Sequence, residues 1–208
     1  MAEKYFITGI GTDIGKSYAT GWLANKLVAE GKSVITQKFI QTGNKDMSED
    51  ILLHRKIMNI PLQTEDLLHI TAPVILSYPA SPHLAAKIDK TSIDLSAIED
   101  ATEQLAIRYD VVLIEGAGGV MVPVTESYLT IDYIRDHNLP VVVVTNGQLG
   151  SISDTLLTLE ALQSRAMRIA AVIYNSHFDS DTVIAAETRT YLSNWVKENV
   201  PSALWFEM

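Results

Sequence analysis

The sequence has no cysteine in its 208 residues. That excludes disulfides and thiolate metal sites, and nothing in the chain asks for an oxidising compartment. No apolar run reaches the roughly 18 residues needed to cross a bilayer. The start, MAEKYFITG, enters a predicted strand directly, without the basic residues and long apolar stretch of a signal peptide. A cytoplasmic location and no membrane partner are therefore expected. Basic residues are also few: 16 Lys and Arg stand against 25 Asp and Glu, for a net charge of -9. An acidic chain repels a phosphate backbone unless its cations gather on one face. The only local basic concentrations, His54-Arg55-Lys56 and the stretch 165–168, are short, so nucleic acid is not an expected partner. There is no internal repeat, low-complexity tract or Gly/Ser-rich linker, and one domain spanning 1–208 is expected.

What the chain does have is alternation. Short apolar runs at 5–8, 33–38, 111–114, 141–145 and 169–174 are rich in Val, Ile and aromatics and read as strands. VVLI and VVVV are nearly continuous, as in strands covered on both faces of a parallel sheet. Helical patterns at 16–30, 94–108, 151–163 and 181–197 separate them, the first ending at Gly31 as a cap. Strand and helix in turn, with right-handed crossovers, give an α/β fold: a doubly wound, mostly parallel sheet. The stretch 61–82, with prolines at 61, 73, 79 and 82, reads as loops and short pieces. Ligands of such sheets bind beyond the carboxyl ends of the strands, and the polar and glycine-rich segments fall there.

After the first strand comes TGIGTDIGKS. Glycines there turn backbone N–H groups toward a phosphate, and the following helix adds its positive dipole end. Lys16 would reach the outer phosphates and the Ser17 hydroxyl would ligate magnesium. Lys38 ends the second strand, either as an ordinary surface lysine or as a cation in the crevice beside Lys16. Thr42 and Gly43 form a polar turn. Glu115 ends a buried strand, where an unpaired carboxylate is costly and Mg2+ would relieve it. Asp50, in SEDILLHR, is either a second carboxylate ligand or a helix-start acid favoured by the dipole. Asn175 follows the last strand as a base-edge contact or a turn residue. The five histidines have no metal-ligand spacing, His83 reads as a helix-start residue, and no nucleophile–His–acid set stands out.

Taken together, YFITGIGTDIGKS, QKFIQTG, SED, PASPH, IEGAGGVMVPV, LPVVVVTNGQLGSI and AVIYN resemble the dethiobiotin synthetases, over residues 4 to about 175. The spacing from Gly9 to Gly15 matches the phosphate loop of that family, which makes the fold P-loop NTPase-like. The resemblance implies a reaction: ATP-dependent carboxylation of 7,8-diaminononanoate with CO2 and closure of the ureido ring, through a carbamate and a carbamic–phosphoric anhydride. It implies Lys38 and Lys16 as catalytic. Gly9, Thr12, Asp13, Ile14, Gly15, Lys16, Ser17, Tyr18, Asp50, Glu115 and Asn175 would bind nucleotide, with Ser17, Asp50 and Glu115 holding Mg2+. Thr42 and Gly118 would meet the diamine. The family is a homodimer, and Leu149, Gly150, Ser151, Ile152 and Ser153 would take the substrate's carboxylate tail across the interface, at a helix start suited to an anion.

Three positions depart from that pattern. Gly11 stands where some members have an acid, and Thr42 where the family has serine. The end, NVPSALWFEM, lacks the Gly-x-x-Pro segment that helps enclose the base in many relatives. The alternative is a ParA/MinD-like switch ATPase. Such proteins carry a lysine inside the phosphate loop, and IGTDI has none. A membrane-associated member would end in a basic amphipathic helix, for which ALWFEM is too short and acidic. A cobyric-acid-type amidotransferring synthetase would need a cysteine.

Overall fold

The computed structural model describes residues 2–208 and contains a six-stranded parallel sheet. Its strands are β1 (Glu3–Gly9), β2 (Val34–Lys38), β5 (Val111–Gly119), β6 (Val141–Asn146), β7 (Ile169–Asn175) and β8 (Leu204–Glu207), in the order β2-β5-β1-β6-β7-β8. A second sheet has only β3 (Gln41–Thr42) and β4 (Ile75–Leu76). The helices are α1 (Lys16–Ala29), α2 (Glu49–Met58), α3 (Thr64–Leu67), α4 (Pro82–Asp89), α5 (Leu95–Arg108), α6 (Thr130–Asp136), α7 (Ser151–Gln163) and α8 (Thr182–Asn199).

Because successive strand residues point to opposite faces, each apolar run feeds two cores at once. Phe6, Val112, Ile114, Val141 and Val143 pack with residues of α4 to α8, while Ile7, Val111, Leu113, Val142 and Val144 pack with α1 and Met58 of α2. Rings of Phe6, Phe39 and Tyr133 anchor the first core, with centroid separations of 5.4 Å and 4.5 Å. The second is tight enough that Gly21 of α1 lies against Ile57 of α2, where an added Cβ would come within 2.9 Å. β1 therefore sends its connection over one face and β5 over the other. Their carboxyl ends open the crevice that such a divergence creates.

The five expected strands and four expected helices are present, with ends shifted by up to a few residues. Gly31 sits just past α1 at φ 86, the left-handed position that a helix-ending glycine takes. Asp94 and Asp181 cap α5 and α8 through their carboxylates. The stretch 61–82 holds α3, β4 and the first residue of α4. Two segments hold structure that their sequences did not announce. The basic triplet at 54–56 is not a surface patch, since His54 and Arg55 are buried and only Lys56 is exposed. The closing segment, which lacks the Gly-x-x-Pro segment and is too short and acidic for a basic helix, forms β8. It pairs in parallel with β7, its Met208 carbonyl accepts from the Ser176 hydroxyl at 2.5 Å, and Phe206 meets Trp22 edge-on.

Candidate active site

The register of the sheet builds the centre of the site. Lys38 of β2 lies directly beside Glu115 of β5. Residues in register on neighbouring strands share a face, so both side chains project toward α1 and α2. Lys38 Nζ is 2.8 Å from Glu115 Oε1 and 2.5 Å from Asp50 Oδ2, and it also donates to the Gly116 carbonyl at 3.2 Å. Lys38 is 4% exposed and Glu115 0%. The surface-lysine reading of Lys38 is thereby excluded. The buried carboxylate is also not unpaired: Lys38 and His54, whose Nε2 lies 2.6 Å from Oε2, meet the cost that a metal was expected to bear. Burial alone would raise the Glu115 pKa, but Lys38 and then His54 outweigh it and hold the carboxyl well below the usual range. Burial likewise opposes the Lys38 ammonium, yet Glu115 and Asp50 raise its pKa above the ordinary lysine value.

The loop between β1 and α1 faces this cluster. Ser17, in the first turn of α1, donates or shares its hydroxyl with Asp50 Oδ1 at 2.8 Å and Glu115 Oε1 at 2.9 Å. Asp50 is delivered by α2, whose N-cap Ser48 accepts from the Ile51 N–H, so the acid lies in the first turn and also at the crevice. The two readings of Asp50 hold together. Lys16 curls back to donate to the Gly11 carbonyl at 2.7 Å. Burial pushes its pKa down to about 8, and Lys38 adds to that, against the pull of Glu115, Asp50 and Asp13. Gly15 precedes α1 at φ 85, and a Cβ there would stand 2.2 Å from Asn175 Nδ2. Only glycine satisfies both conditions. Gly11 has nothing within 4 Å of an added Cβ, so an acid has room there.

These groups line one cavity of about 1210 Å³. Thr12, Asp13, Gly15, Lys16, Ser17 and Tyr18 line it from the loop before α1 and the first turn of that helix; Lys38, Thr42, Asp50, Glu115 and Gly118 line it from β2, β3, α2 and β5. Thr42 is carried there by the small β3–β4 sheet, and Pro79 to Pro82 line the cavity as well. Asn175 lines it too, beside Gly15, together with the turn Ser176–Phe178 and Met208. Its amide donates to the Ile14 carbonyl at 3.2 Å and accepts from the His177 N–H at 3.1 Å, so the turn-residue reading is met. Gly9 and Ile14 are not among the lining residues: the Ile14 side chain is buried over Gly9, where a Cβ would come within 2.5 Å. Residues 149–153 do not line this cavity. They form the start of α7, where Leu149 is 87% exposed and Gly150 caps without a side-chain hydrogen bond.

Among the described residues, no three His, Asp or Glu side chains gather as a metal cluster. Two carboxylates and a hydroxyl do converge, with an ammonium already between the acids. That all-oxygen donor set suits Mg2+, which is commonly held by one or two carboxylates together with phosphates.

The sequence reading missed Thr36, His54, Arg55 and Asp66 behind Glu115. His54 Nδ1 lies 3.0 Å from Thr36 Oγ1, Arg55 donates to the same oxygen at 2.8 Å, and its Nε and Nη2 fork onto Asp66 at 2.8 Å and 2.7 Å. The available signal was the period of α2: Ile51, His54, Arg55 and Met58 recur every three or four residues and mark the buried face.

A family model described as an AAA domain matches residues 3–198. An ATP-dependent dethiobiotin synthetase of Pasteurella multocida is 50% identical over 99% of this chain and 96% of its own length. One from Haemophilus influenzae is 50% identical over 88% of this chain and 96% of that protein. One from Chlorobaculum tepidum is 46% identical over 92% and 80%. A solved structure of pNOB8 ParA bound to nonspecific DNA aligns with a TM-score of 0.58 at 16% identity, over 100% of this chain and 86% of that one. MinD complexed with Mg-ADP, from Pyrococcus horikoshii, aligns at 0.50 with 15% identity, over 90% and 77%. At that identity the structures speak for the P-loop NTPase fold alone. No helix among the described residues is long and apolar enough to cross a membrane. The phosphate loop, the crevice and the near full-length identity converge: the chain belongs to the dethiobiotin synthetase family.

Proposed function

We propose that the protein carboxylates 7,8-diaminononanoate with CO2 and closes the ureido ring to dethiobiotin, using ATP and Mg2+. The observation that carries this reading is the convergence of Ser17, Asp50, Glu115, Lys16 and Lys38 in one crevice. One amine adds to CO2 and loses a proton, giving a carbamate. The carbamate oxygen takes the terminal phosphoryl group of ATP, releasing ADP, and the second amine attacks the carbonyl carbon, loses a proton and expels phosphate. The backbone N–H groups of the Gly9 to Gly15 loop and the start of α1 cradle phosphates. Lys16 neutralises charge on the transferring group, and Lys38 does so for the carbamate and its phosphorylated form. Bound Mg2+, held by Ser17, Asp50 and Glu115, would supply further charge neutralisation at the phosphates.

Thr42 and Gly118 line the same crevice and would meet the diamine, while Asn175 would contact the base. Residues 149–153, outside the cavity of their own chain, would reach a second subunit's substrate. The start of α7 has no side-chain cap, and although the Ser151 N–H donates to the Gln148 carbonyl, the next N–H groups suit that substrate's carboxylate. The reading is of a cytoplasmic homodimer whose whole chain acts as one domain. The test is incubation with 7,8-diaminononanoate, labelled bicarbonate and Mg-ATP, following label into dethiobiotin by mass spectrometry. Product that requires both nucleotide and diamine is expected. Hydrolysis of ATP without labelled product would overturn the reading in favour of a switch ATPase.

A further inference from the structure

The Glu115 carboxylate has two oxygens with different surroundings. Oε1 faces the crevice, with Lys38 Nζ at 2.8 Å and Ser17 Oγ at 2.9 Å. Oε2 faces the interior, with His54 Nε2 at 2.6 Å. Lys38 brings one positive charge against the two carboxylates of Asp50 and Glu115, and its hydrogen bond goes to the front oxygen of Glu115, so the rear oxygen depends on His54. The imidazole is itself held. Thr36 Oγ1 lies 3.0 Å from Nδ1, and Arg55 donates to that oxygen at 2.8 Å. Arg55 is clamped on Asp66 through two hydrogen bonds, and Asp66 also accepts from the Thr71 hydroxyl at 2.7 Å and the Gln63 N–H at 2.7 Å. From Asp66 to Glu115, none of the five residues is more than 3% exposed. A guanidinium only donates and a carboxylate only accepts. Nε2 must therefore carry a proton and donate it to Oε2.

We infer that His54 is a positioning residue: anchored through Thr36, Arg55 and Asp66, it fixes the rear oxygen of Glu115 so that Oε1 alone faces the crevice. Glu115 then offers one oxygen to a cation and cannot rotate to offer two. His54 and Asp50 are one turn apart on α2, so this helix sets both carboxylates at once. The inference rests on the reading of Glu115 as a cation ligand.

The test combines two readouts on the full-length protein. In wild-type protein labelled with 15N-histidine, the signal lost in His54→Gln identifies residue 54, and its long-range 1H–15N pattern shows which nitrogen bears the proton. A protonated Nε2 is expected; a ring protonated at Nδ1 alone overturns the inference. Calorimetric titration of a non-hydrolysable ATP analogue at several Mg2+ concentrations then compares His54→Phe, His54→Gln and Glu115→Gln. His54→Phe should raise the Mg2+ requirement roughly 10- to 100-fold, the usual effect of removing a partner behind a metal ligand. His54→Gln keeps an N–H for Oε2 and should restore the requirement to within about threefold of wild type. A folded His54→Phe protein with a wild-type Mg2+ requirement, beside a defective Glu115→Gln, overturns the positioning role alone. An unchanged requirement in Glu115→Gln overturns the metal reading and the inference together. If His54→Phe does not fold, a His54→Gln requirement raised roughly tenfold or more overturns the inference, and one near wild type together with protonated Nε2 supports it.

Discussion

Replacing Lys38 with methionine removes the ammonium between two carboxylates while keeping an unbranched side chain in its place. Asp50 is partly solvated and can turn outward, but Glu115 is enclosed. Deleting one partner of a buried ion pair typically costs ~3–5 kcal/mol because the other charge is left behind. Here the carboxyl has an escape, since it can take up a proton. From an ordinary glutamate value, that costs ~3.7 kcal/mol at pH 7 but only ~1 kcal/mol at pH 5, at about 1.36 kcal/mol per pH unit. The smaller route sets the loss. Lys38→Met should therefore be ~3–4 kcal/mol less stable than wild type at pH 7 in urea denaturation, and the gap should shrink by ~2.7 kcal/mol at pH 5. The sign follows from linkage: in the variant the folded pKa of Glu115 is raised, so stability is lost as pH rises. In wild type it is depressed, so this group contributes no slope between those pH values. The double variant Lys38→Met/Glu115→Gln removes both charges and should recover most of the loss. A gap of under about 1 kcal/mol at pH 7, or one that does not change with pH, would refute the account.

Glu115→Gln should raise the Mg2+ needed for half-maximal turnover by roughly 10-fold or more, and an unchanged metal titration would leave Glu115 a structural acid. With the free Lys16 pKa pushed down to about 8, this side chain is charged below that pH and neutral above it. Affinity for Mg-nucleotide should fall above pH 8, and binding there should take up a proton, seen as a buffer-dependent heat; a buffer-independent heat would refute it. Asp66 has its pKa depressed: burial opposes ionisation, but Arg55 outweighs it. Its stabilisation should be present above about pH 4 and lost as pH falls further, so Asp66→Asn should flatten the acid limb of the stability curve. An acid limb identical to wild type would contradict that.

Much of this was legible in the chain because the signals were local. The runs VVLI and VVVV can satisfy two apolar faces only inside a parallel sheet, and GIGTDIGKS between a strand and a helix leaves little but a phosphate loop. The ends of strands mark where chemistry gathers, which placed Lys38, Glu115 and Asn175. What stayed hidden depends on partners distant in sequence. His54 looks like part of a basic surface triplet until the face of α2 that carries Ile51 and Met58 is turned inward. LWFE is too short to announce a strand by itself, and its role follows from the free edge of β7 beside it. The pairing of Glu115 likewise rests on sheet register, which no single segment specifies.

The strand order also governs how the chain must assemble as it is made. β1 and β2 leave the ribosome first, yet they never touch: β5 lies between them, and β1's other neighbour is β6. Until residues 111–119 have emerged, no two strands of the main sheet can pair. The nascent chain must carry two apolar segments, YFITG and VITQK, with their backbone groups still hydrated or shielded by other factors. Distant parallel pairings of this kind slow folding. Arrival of β5 joins β1 to β2 and brings Glu115 to Lys38 in one event, so the candidate crevice and the first pairing of the main sheet share a single strand.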